Sequence, residues 1–386
     1  MISERSVVVG IVAGEVSGDA LGAGLMHRFK ILYPNARFIG VGGPKMREAG
    51  CEILYEMRDI GLMGLDELPT RLISIIRIRI SLFRTFILEK TDVFIGVDVP
   101  DFNLALAGRL KKQGIPTVHY VSPTVWAWRE YRINKIRRSI DQMLVLFPFE
   151  IDYYKKHQVP VHFVGHPIAD QIEQPNRERA RSRLNLDIDG DQYLIALMPG
   201  SRSNEIQRHG GILLEAARFL FQSDPAFRFV IPFASSRMRE LFHRLYGKVS
   251  DLPITYIDGC SREVLEACDL AVLASGTAAL EAALMERRHV VVYKVSLLTW
   301  LVFRMLRKVE YYSMPNHLLS RPAIPELIQD RATALRIFEC VQTLIHDAEQ
   351  ASWLESEFRA LRYRLQRNAS QNAAECVADI VRKSRC

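Results

Sequence analysis

The sequence has few cysteines, and no arrangement of them suits a metal. Six occur among 386 residues, and none forms a C-x-x-C pair or joins a Cys/His cluster with zinc spacing. Zinc-finger proteins are thereby excluded. Cysteine usage instead favours a reducing, cytoplasmic compartment.

Long apolar runs are missing as well. No uninterrupted apolar run reaches the length of a membrane span. The early segment 7–13 is too short for a signal-peptide core, and it continues into AGEVSGD rather than a cleavage site. The sequence therefore predicts a protein that is not integral to a membrane.

Tracts typical of nucleic-acid binding are also absent. No basic tail or RGG-like repeat occurs, although Lys and Arg outnumber Asp and Glu by 51 to 44 and the formal charge is +7. A basic balance favours an anionic partner. We therefore expect a phosphorylated substrate or an anionic membrane surface rather than a nucleic acid.

Carboxylates with metal-binding spacing are lacking too. Asp187, Asp189 and Asp191 imitate a calcium loop, but Gly190 precedes the third acid and no Glu stands at the closing position. No D-x-D pair sits at the end of a predicted strand to hold a nucleotide-bound metal. We expect no metal and no cofactor, so helix ends and arginine must neutralise any bound phosphate.

What the sequence does contain is a repeated strand–helix rhythm in a chain long enough for two domains. Buried strands are predicted at 7–13, 38–41, 93–97, 117–121, 142–147 and 161–164, then at 194–198, 228–232, 254–257, 270–273 and 290–293. Such alternation predicts two α/β halves with parallel sheets and ligands at the carboxyl ends of the strands. We expect domains at 1–167 and 168–354, with helices of 355–386 packing back on the first.

The segment 194–205, LIALMPGSRSNE, is the strongest local signal for anion binding. An apolar strand stops at Gly200, Ser201 and Ser203 can cap, and a helix follows. Free amides at a helix start favour an anion, and the Arg202 guanidinium can grip two phosphate oxygens. The alternative is an ordinary strand–helix turn with a surface arginine.

A second junction of this kind follows the strand 270–273. Ser275, Gly276 and Thr277 open a helix whose amides can bind phosphate. Glu281 can accept hydrogen bonds from a ribose diol, or it can simply complement the helix dipole.

Asp98 follows the strand 93–97, at the point from which side chains reach a ligand. A carboxylate there can act as general base for a hydroxyl nucleophile, or it can be a turn residue. Asp101 is predicted to cap a helix that starts at Phe102.

Two tryptophans and one histidine complete the local candidates. Trp126 and Trp128 can form a sugar or acyl platform, although core packing is the commoner role for such rings. His166 follows the strand 161–164 and is either a substrate contact or a structural residue.

Two stretches combine arginines with excess apolar surface. Residues 68–89 read LPTRLISIIRIRISLFRTFILE, and residues 295–308 repeat the theme around Trp300. Basic amphipathic helices lie well on anionic bilayers, although either stretch is equally compatible with a buried helix or a dimer face. Two of them in one basic protein favour membrane contact.

Ten segments, taken together, resemble the lipid-A-disaccharide synthase family, glycosyltransferases of two facing Rossmann-like domains with a central cleft (GT-B). They are AGEVSGD (13–19), GVGGPKM (40–46), MGLDEL (63–68), DVPDFN (98–103), YVSPTVWAWR (120–129), LFPFE (146–150), VGHP (164–167), PGSRSNEI (199–206), ASGTAALEA (274–282) and MPNHLL (314–319). They span nearly the whole chain in the expected order.

The resemblance implies transfer of 2,3-diacylglucosamine from its UDP derivative to 2,3-diacylglucosamine 1-phosphate, giving the β(1→6) disaccharide that precedes lipid A. Asp98 falls on the family's proposed catalytic aspartate and Arg202 on its essential arginine. The nucleotide-sugar site implied is Gly200, Ser201, Arg202, Glu205, Ser275, Gly276, Thr277 and Glu281. Acceptor or substrate candidates are Glu15, Ser17, Asn103, Ser122, Trp126, His166 and Asn316. A cytoplasmic protein on the inner-membrane surface, paired as a homodimer, is also implied.

Two other functions fit parts of the pattern. A UDP-sugar 2-epimerase uses the same two-domain plan but needs no acceptor. A non-catalytic membrane module would use the basic helices but would leave both anion-binding junctions without a purpose.

Overall fold

The structure is a computed structural model that describes residues 6–61, 68–127, 130–296, 299–300 and 309–385, with side chains of the helix starting at residue 68 described from residue 73. The chain forms two compact units. Unit 1 comprises Met1–Asp170 with Leu365–Cys386, and unit 2 comprises Gln171–Arg364. The segment 63–67, Trp128, Arg129 and most of 297–308 lie outside the described residues.

Unit 1 alternates strands and helices along almost its whole length. Its elements are β1 Val8–Ala13, α1 Val16–Leu32, β2 Arg37–Gly42, α2 Pro44–Glu48, β3 Cys51–Glu56, α3 Met57–Ile60, α4 Leu68–Leu88, β4 Val93–Val97, α5 Pro100–Lys111, β5 Thr117–Tyr120, α6 Ile133–Ser139, β6 Gln142–Val145, α7 Glu150–Lys156, β7 Val161–Phe163 and α8 Pro167–Gln171, which ends in unit 2.

Unit 2 repeats the alternation and ends in helices. Its elements are α9 Arg177–Arg183, β8 Tyr193–Met198, α10 Ser203–Ser223, β9 Phe227–Phe233, α11 Ser236–Tyr246, β10 Ile254–Asp258, α12 Ser261–Ala267, β11 Leu270–Ala274, α13 Thr277–Leu284, β12 Arg288–Tyr293, α14 Met314–Leu318, β13 Glu326–Ile328, α15 Ala334–His346 and α16 Ala348–Leu365. The last helix, α17 Ala369–Arg385, belongs to unit 1.

Each unit contains one parallel sheet with a reversal of strand order. The first sheet runs β3-β2-β1-β4-β5-β6-β7 and the second β10-β9-β8-β11-β12-β13. Ala13 pairs with Val97 in the first and Met198 with Leu273 in the second, so paired strands end side by side. Ligands of such sheets bind where the order reverses, here at the ends of β1 and β4 and of β8 and β11.

The predicted strands are all present, and the expected two-domain parallel α/β class is confirmed. Sequence periodicity missed β3 and β13. The first is only partly buried and carries two glutamates, whereas the second is three residues long. Neither has the continuous apolar run that marks a buried central strand.

A buried aspartate joins two of the quoted motifs in unit 1. The Asp19 carboxylate accepts hydrogen bonds from the amides of Gly43 (2.7 Å), Met46 (3.0 Å) and Lys45 (3.0 Å), at the start of α2. A Cβ atom on Gly43 would lie 2.7 Å from Asp19 Oδ2, so this close approach requires glycine. AGEVSGD and GVGGPKM therefore form one structural element.

A second aspartate fixes the C-terminal segment. Asp170 accepts from the amides of Arg367 and Asn368, both at 2.9 Å, and of Ala369 at 2.6 Å. Helix α17 then packs its buried face against α1 in the core of unit 1. Helix α17 thus completes unit 1, the unit that contains β1.

Candidate functional site

The strand ends of β8, β9 and β11 surround a cavity of about 420 Å³ in unit 2. It lies where the strand order reverses, as expected for a ligand site of a parallel sheet. All eight predicted nucleotide-sugar residues line it: Gly200, Ser201, Arg202, Glu205, Ser275, Gly276, Thr277 and Glu281.

Glu205, rather than a serine, organises the loop after β8. Its Oε2 accepts from the amides of Ser201 (2.8 Å) and Arg202 (3.1 Å), and α10 begins at Ser203. The predicted capping by Ser201 or Ser203 is therefore wrong. A carboxylate in the first turn accepts two amides at once and complements the helix dipole.

Gly200 is required by this arrangement. Its φ is +113°, and a Cβ atom there would lie 2.4 Å from Glu205 Oε2. The backbone amides predicted to receive phosphate are thus occupied by the protein's own carboxylate in this structure. A phosphate at this loop must either displace Glu205 or bind through other groups.

Arg202 is the group best placed to supply those contacts. Its side chain is 80% exposed at the cavity, and Nη1 lies 3.8 Å from Glu205 Oε1. A guanidinium held this loosely keeps its planar set of donors available to phosphate oxygens.

The β11 loop presents the other amides. Gly276 is the N-cap of α13, which starts at Thr277, so the positive end of this helix lies at the cavity. Glu281 is one turn further on, and its Oε1 accepts from Arg262 Nε at 2.9 Å. Arg262 also donates to Gln171, which fixes the guanidinium. The guanidinium in turn holds Glu281 in place and balances most of its charge.

Sequence reasoning missed one side of this cavity. Pro232, Phe233 and Ala234 at the end of β9 line it, as do Gly259 after β10 and Ser261 at the start of α12. The strand 228–232 was predicted, but periodicity along one strand does not give the order of strands in a sheet. The missing information was that β9 pairs directly with β8.

Asp98 occupies a strained turn at the end of β4. Asp98 and Val99 have φ of +52° and +39°, a region that non-glycine residues rarely adopt. The Asp98 amide donates to the Tyr120 carbonyl at 2.9 Å, and its Oδ1 accepts from the Val99 amide at 2.9 Å. Such strain is characteristic of functional sites.

Partial burial raises the pKa of Asp98 above its usual value, and the hydrogen bond from Val99 only partly offsets this. A raised pKa makes the ionised carboxylate a stronger proton acceptor, as general-base catalysis requires. On the neighbouring strand, a Cβ at Gly14 would lie 2.7 Å from Val99 Cγ2, so glycine there makes room for the turn.

Asn103 was predicted to be an acceptor contact, but its side chain is fully buried. Nδ2 donates to the Asp98 carbonyl at 2.7 Å and to the carbonyls of Val97 and Val12 at 3.3 Å. It therefore joins the ends of β1 and β4 and holds the Asp98 turn, which makes it a positioning residue.

The predicted cap at Asp101 is also wrong. Helix α5 begins at Pro100 with Val99 as its N-cap, because proline suits the first helical position. Asp101 instead pairs with Arg132, whose Nη2 lies 2.9 Å from Oδ1.

Glu15 and Ser17 lie at the exposed start of α1, directly after β1. Because Ala13 pairs with Val97, this helix start and the Asp98 turn emerge from adjacent strands. Both residues are exposed, in a segment that follows the strand next to β4.

Ser122, Trp126 and His166 belong to a largely buried group around Glu150. Trp126 Nε1 donates to Glu150 Oε1 at 3.2 Å, and the Phe147 amide donates to Oε2 at 3.2 Å. Ser122 Oγ lies 2.8 Å from the Tyr154 hydroxyl. Ser122 and His166 are each 8% exposed, and their assignment as substrate contacts stays a prediction.

Burial of Glu150 raises its pKa to about 7, although the hydrogen bonds that it accepts oppose the shift. Sequence reasoning quoted LFPFE only as a matching segment and gave Glu150 no role. Its position at the start of α7 would have suggested a helix-terminal acid, but nothing in the sequence shows that it is buried.

Asn316 in unit 2 has its side chain committed internally. Nδ2 donates to the Ile324 carbonyl and to Glu326 Oε1, and Oδ1 accepts from the amides of Ala323 and Ile324, all within 3.1 Å. The residue is 5% exposed. In this structure it organises the loop before β13, and its assignment as an acceptor contact stays a prediction.

Solved structures define the class of fold. UDP-GlcNAc 2-epimerase from Neisseria meningitidis, bound to UDP-GlcNAc, has a TM-score of 0.60 at 14% identity, covering 98% of this chain and 100% of that one. MurG of Acinetobacter baumannii has a TM-score of 0.58 at 15% identity, covering 97% and 100%. The chain thus has the two-unit GT-B architecture, and its likeness to the epimerase is one of fold.

Sequence comparison then gives the family. The family model described as Lipid-A-disaccharide synthetase matches residues 9–381. Lipid-A-disaccharide synthase of Pseudomonas paraeruginosa (strain PA7) is 46% identical over 377 residues, covering 97% of this chain and 98% of that protein. The Hahella chejuensis enzyme is 43% identical over 386 residues, covering 100% and 97%. The chain belongs to the lipid-A-disaccharide synthase family.

Proposed function

We propose that the protein transfers 2,3-diacylglucosamine from UDP to the 6-hydroxyl of 2,3-diacylglucosamine 1-phosphate, forming the β(1→6) lipid A disaccharide and UDP. The observation that carries the proposal is the cavity at the ends of β8 and β11, lined by Arg202 and the start of α13. Full-length membership in a family of disaccharide synthases supports the same reaction.

The donor binds through its diphosphate. Arg202 grips phosphate oxygens from the solvent side. The amides of Gly276 and Thr277 receive them with the dipole of α13. Glu281, fixed by Arg262, accepts from the ribose hydroxyls through its carboxylate. Positive groups at the leaving diphosphate stabilise the charge that gathers there in the transition state.

The acceptor is activated by Asp98. Its carboxylate takes the proton of the 6-hydroxyl as that oxygen attacks the anomeric carbon from the face opposite UDP. The new C–O bond forms while the bond to the diphosphate oxygen breaks, and UDP leaves with the electron pair. The anomeric centre is inverted, and no metal takes part.

We also propose that α4 rests on the cytoplasmic surface of the inner membrane. Its exposed residues include Ile73 (53%), Ile76 (43%) and Leu88 (80%), beside exposed Arg77 and Arg84. An exposed apolar and basic helix face suits an anionic bilayer interface. Within the part of the chain that the structure describes, no helix has the length and apolar character needed to cross a bilayer.

Vesicle pelleting tests this surface. The double substitution Ile73→Ser with Ile76→Ser should lower binding to phosphatidylglycerol vesicles, whereas Ile31→Ser, at an exposed isoleucine of α1, should not. Equal pelleting of both variants and the wild-type protein would refute the α4 surface.

Product analysis tests the reaction. Incubation with UDP-2,3-diacylglucosamine and the monosaccharide phosphate should give UDP and a disaccharide by mass spectrometry, and omission of the acceptor should give neither. An epimerised UDP-sugar formed without acceptor, or no coupling with it, would contradict the proposal.

A further inference from the structure

A half-buried arginine beside the Asp98 turn has no full set of partners. Arg79 of α4 lies with its Cζ 5.0 Å from the centre of the Phe102 ring, and Nη2 reaches the Asp101 carbonyl at 3.4 Å. Its Nε is buried and makes no hydrogen bond within the described residues. Leaving a buried charged donor unpaired is costly, and an anion beside the guanidinium would offset that cost.

One further guanidinium acts directly on Arg79, and a second shares Asp101 with it. Arg109 of α5 stacks on Phe83 at 4.4 Å, and Arg132 pairs with the Asp101 carboxylate at 2.9 Å. Desolvation, with repulsion from Arg109, lowers the pKa of Arg79, and attraction by Asp101 opposes this only in part. The three arginines therefore hold more positive charge than Asp101 neutralises.

The position of this arginine cluster (Arg79, Arg109 and Arg132) relative to Asp98 limits what it can bind. Asp101 lies in the first turn of α5, directly after the Asp98–Val99 turn. In a glucosamine 1-phosphate, C1 with its phosphate and C5 with its hydroxymethyl arm flank the ring oxygen. A base for the 6-hydroxyl and a site for the anomeric phosphate must consequently lie within the width of one sugar.

We propose that Arg79, assisted by Arg132 and Arg109, binds the phosphomonoester of the acceptor and thereby presents its 6-hydroxyl to Asp98. The inference rests on the proposed function, since it assigns a subsite of that reaction. A guanidinium suits a phosphate because its planar donors match two oxygens at once.

A lipid headgroup would offer the same phosphate chemistry, but the burial of Arg79 argues against it. Arg77, two positions earlier on α4, is exposed with Ile73 and Ile76, whereas Arg79 is only partly accessible and packs towards α5. A bilayer phosphate meets the exposed face first. Arg77→Gln is thus a matched control on the same helix.

The test compares kcat/KM for acceptors with and without the anomeric phosphate. The wild-type enzyme should prefer the phosphorylated acceptor, and Arg79→Gln should reduce that preference roughly tenfold to hundredfold, chiefly by raising the KM for this acceptor. Arg132→Gln should reduce it less, and Arg77→Gln should leave it unchanged. Arg79→Lys retains the charge but not the planar set of donors, so it should recover part of the phosphate preference. This variant also provides the test if Arg79→Gln does not fold.

Each other outcome has a defined meaning. An unchanged phosphate preference in both Arg79 variants overturns the subsite. Loss of binding to phosphatidylglycerol vesicles by Arg79→Gln, with the preference intact, would assign the arginine to lipid headgroups instead. No disaccharide from wild-type enzyme with either acceptor would refute the proposed function itself, independently of Arg79.

Discussion

The two units share a sheet topology but present different chemistry at the same topological position. Where strand order reverses in unit 1, the chain forms a strained turn that holds one carboxylate with a raised pKa, that of Asp98. At the corresponding position in unit 2, the strand ends enclose a cavity with Arg202 and a helix start. One unit is suited to accept a proton, the other to bind an anion.

The difference lies in the residues after the strands, not in the strands themselves. Both β4 and β11 are buried apolar runs, but β4 continues into Asp98-Val99 and β11 into Ser275-Gly276. A fold fixes where ligands approach, whereas the loop residues decide which chemistry occurs there. The following predictions separate these two contributions.

Asp98→Asn should have the largest effect, because it removes the proton acceptor while the turn itself stays intact. We expect kcat to fall about 10²- to 10⁴-fold while UDP affinity by calorimetry stays near wild type. In the wild-type enzyme, activity should be lost as pH falls through the raised pKa of Asp98, at a higher pH than for an ordinary aspartate. Asp101→Asn is the control. An equal loss of kcat in both variants would contradict the assignment of Asp98 as the proton acceptor of unit 1.

Arg202→Ala should come next, because it removes a charged donor set from the anion site of unit 2. UDP affinity should fall roughly 10- to 100-fold, and kcat/KM should fall with it. Arg218→Ala, on the same helix α10 but paired with Asp251 at 2.8 Å, should bind UDP normally. Unchanged UDP affinity in Arg202→Ala would remove the basis for assigning the nucleotide to this cavity.

Glu150→Gln should remove a pH dependence of the unfolding free energy that arises in unit 1. Since burial raises the pKa of Glu150 to about 7, the folded state holds a proton that the unfolded chain releases near its ordinary pKa of 4.5. This contribution to stability is present below the ordinary pKa and is lost as pH rises through about 7. The wild-type protein should lose about 1 to 3 kcal/mol of unfolding free energy between pH 5 and 8 relative to Glu150→Gln.

Urea denaturation at several pH values measures this difference. Parallel profiles for the two proteins would show that Glu150 does not titrate in that range. The UDP affinity of unit 2 should be unaffected by the substitution in either case.

Glu205→Gln should have the smallest effect. It should raise UDP affinity, whereas Arg202→Ala should lower it. The carboxylate occupies the Ser201 and Arg202 amides where a phosphate would approach, so removing its charge should tighten UDP binding about two- to fivefold. The amide oxygen of Gln still accepts, so helix α10 should stay capped. Weaker binding by calorimetry would mean that Glu205 itself holds the nucleotide sugar.

The sequence was sufficient for the buried central strands and for the loops that follow them, but not for the edge strands β3 and β13. Asp98, Arg202 and Gly276 could each be placed in the loop after a strand because the predicted apolar strands end at Val97, Met198 and Leu273. Pro232 and Ser261 could not, since they reach the cavity only because β9 pairs with β8 and β10 pairs with β9. Asn103 and Asn316 were acceptor candidates through the family resemblance alone. Their burial depends on packing between distant segments, which local spacing does not show.

Hydrogen exchange with and without UDP tests the central contrast most directly. Peptides that cover Met198–Glu205 and Ala274–Glu281 should exchange more slowly with UDP, and those covering Val93–Asn103 should be unchanged. Slower exchange confined to Val93–Asn103, with none at Ala274–Glu281, would place the nucleotide in unit 1 and contradict the account.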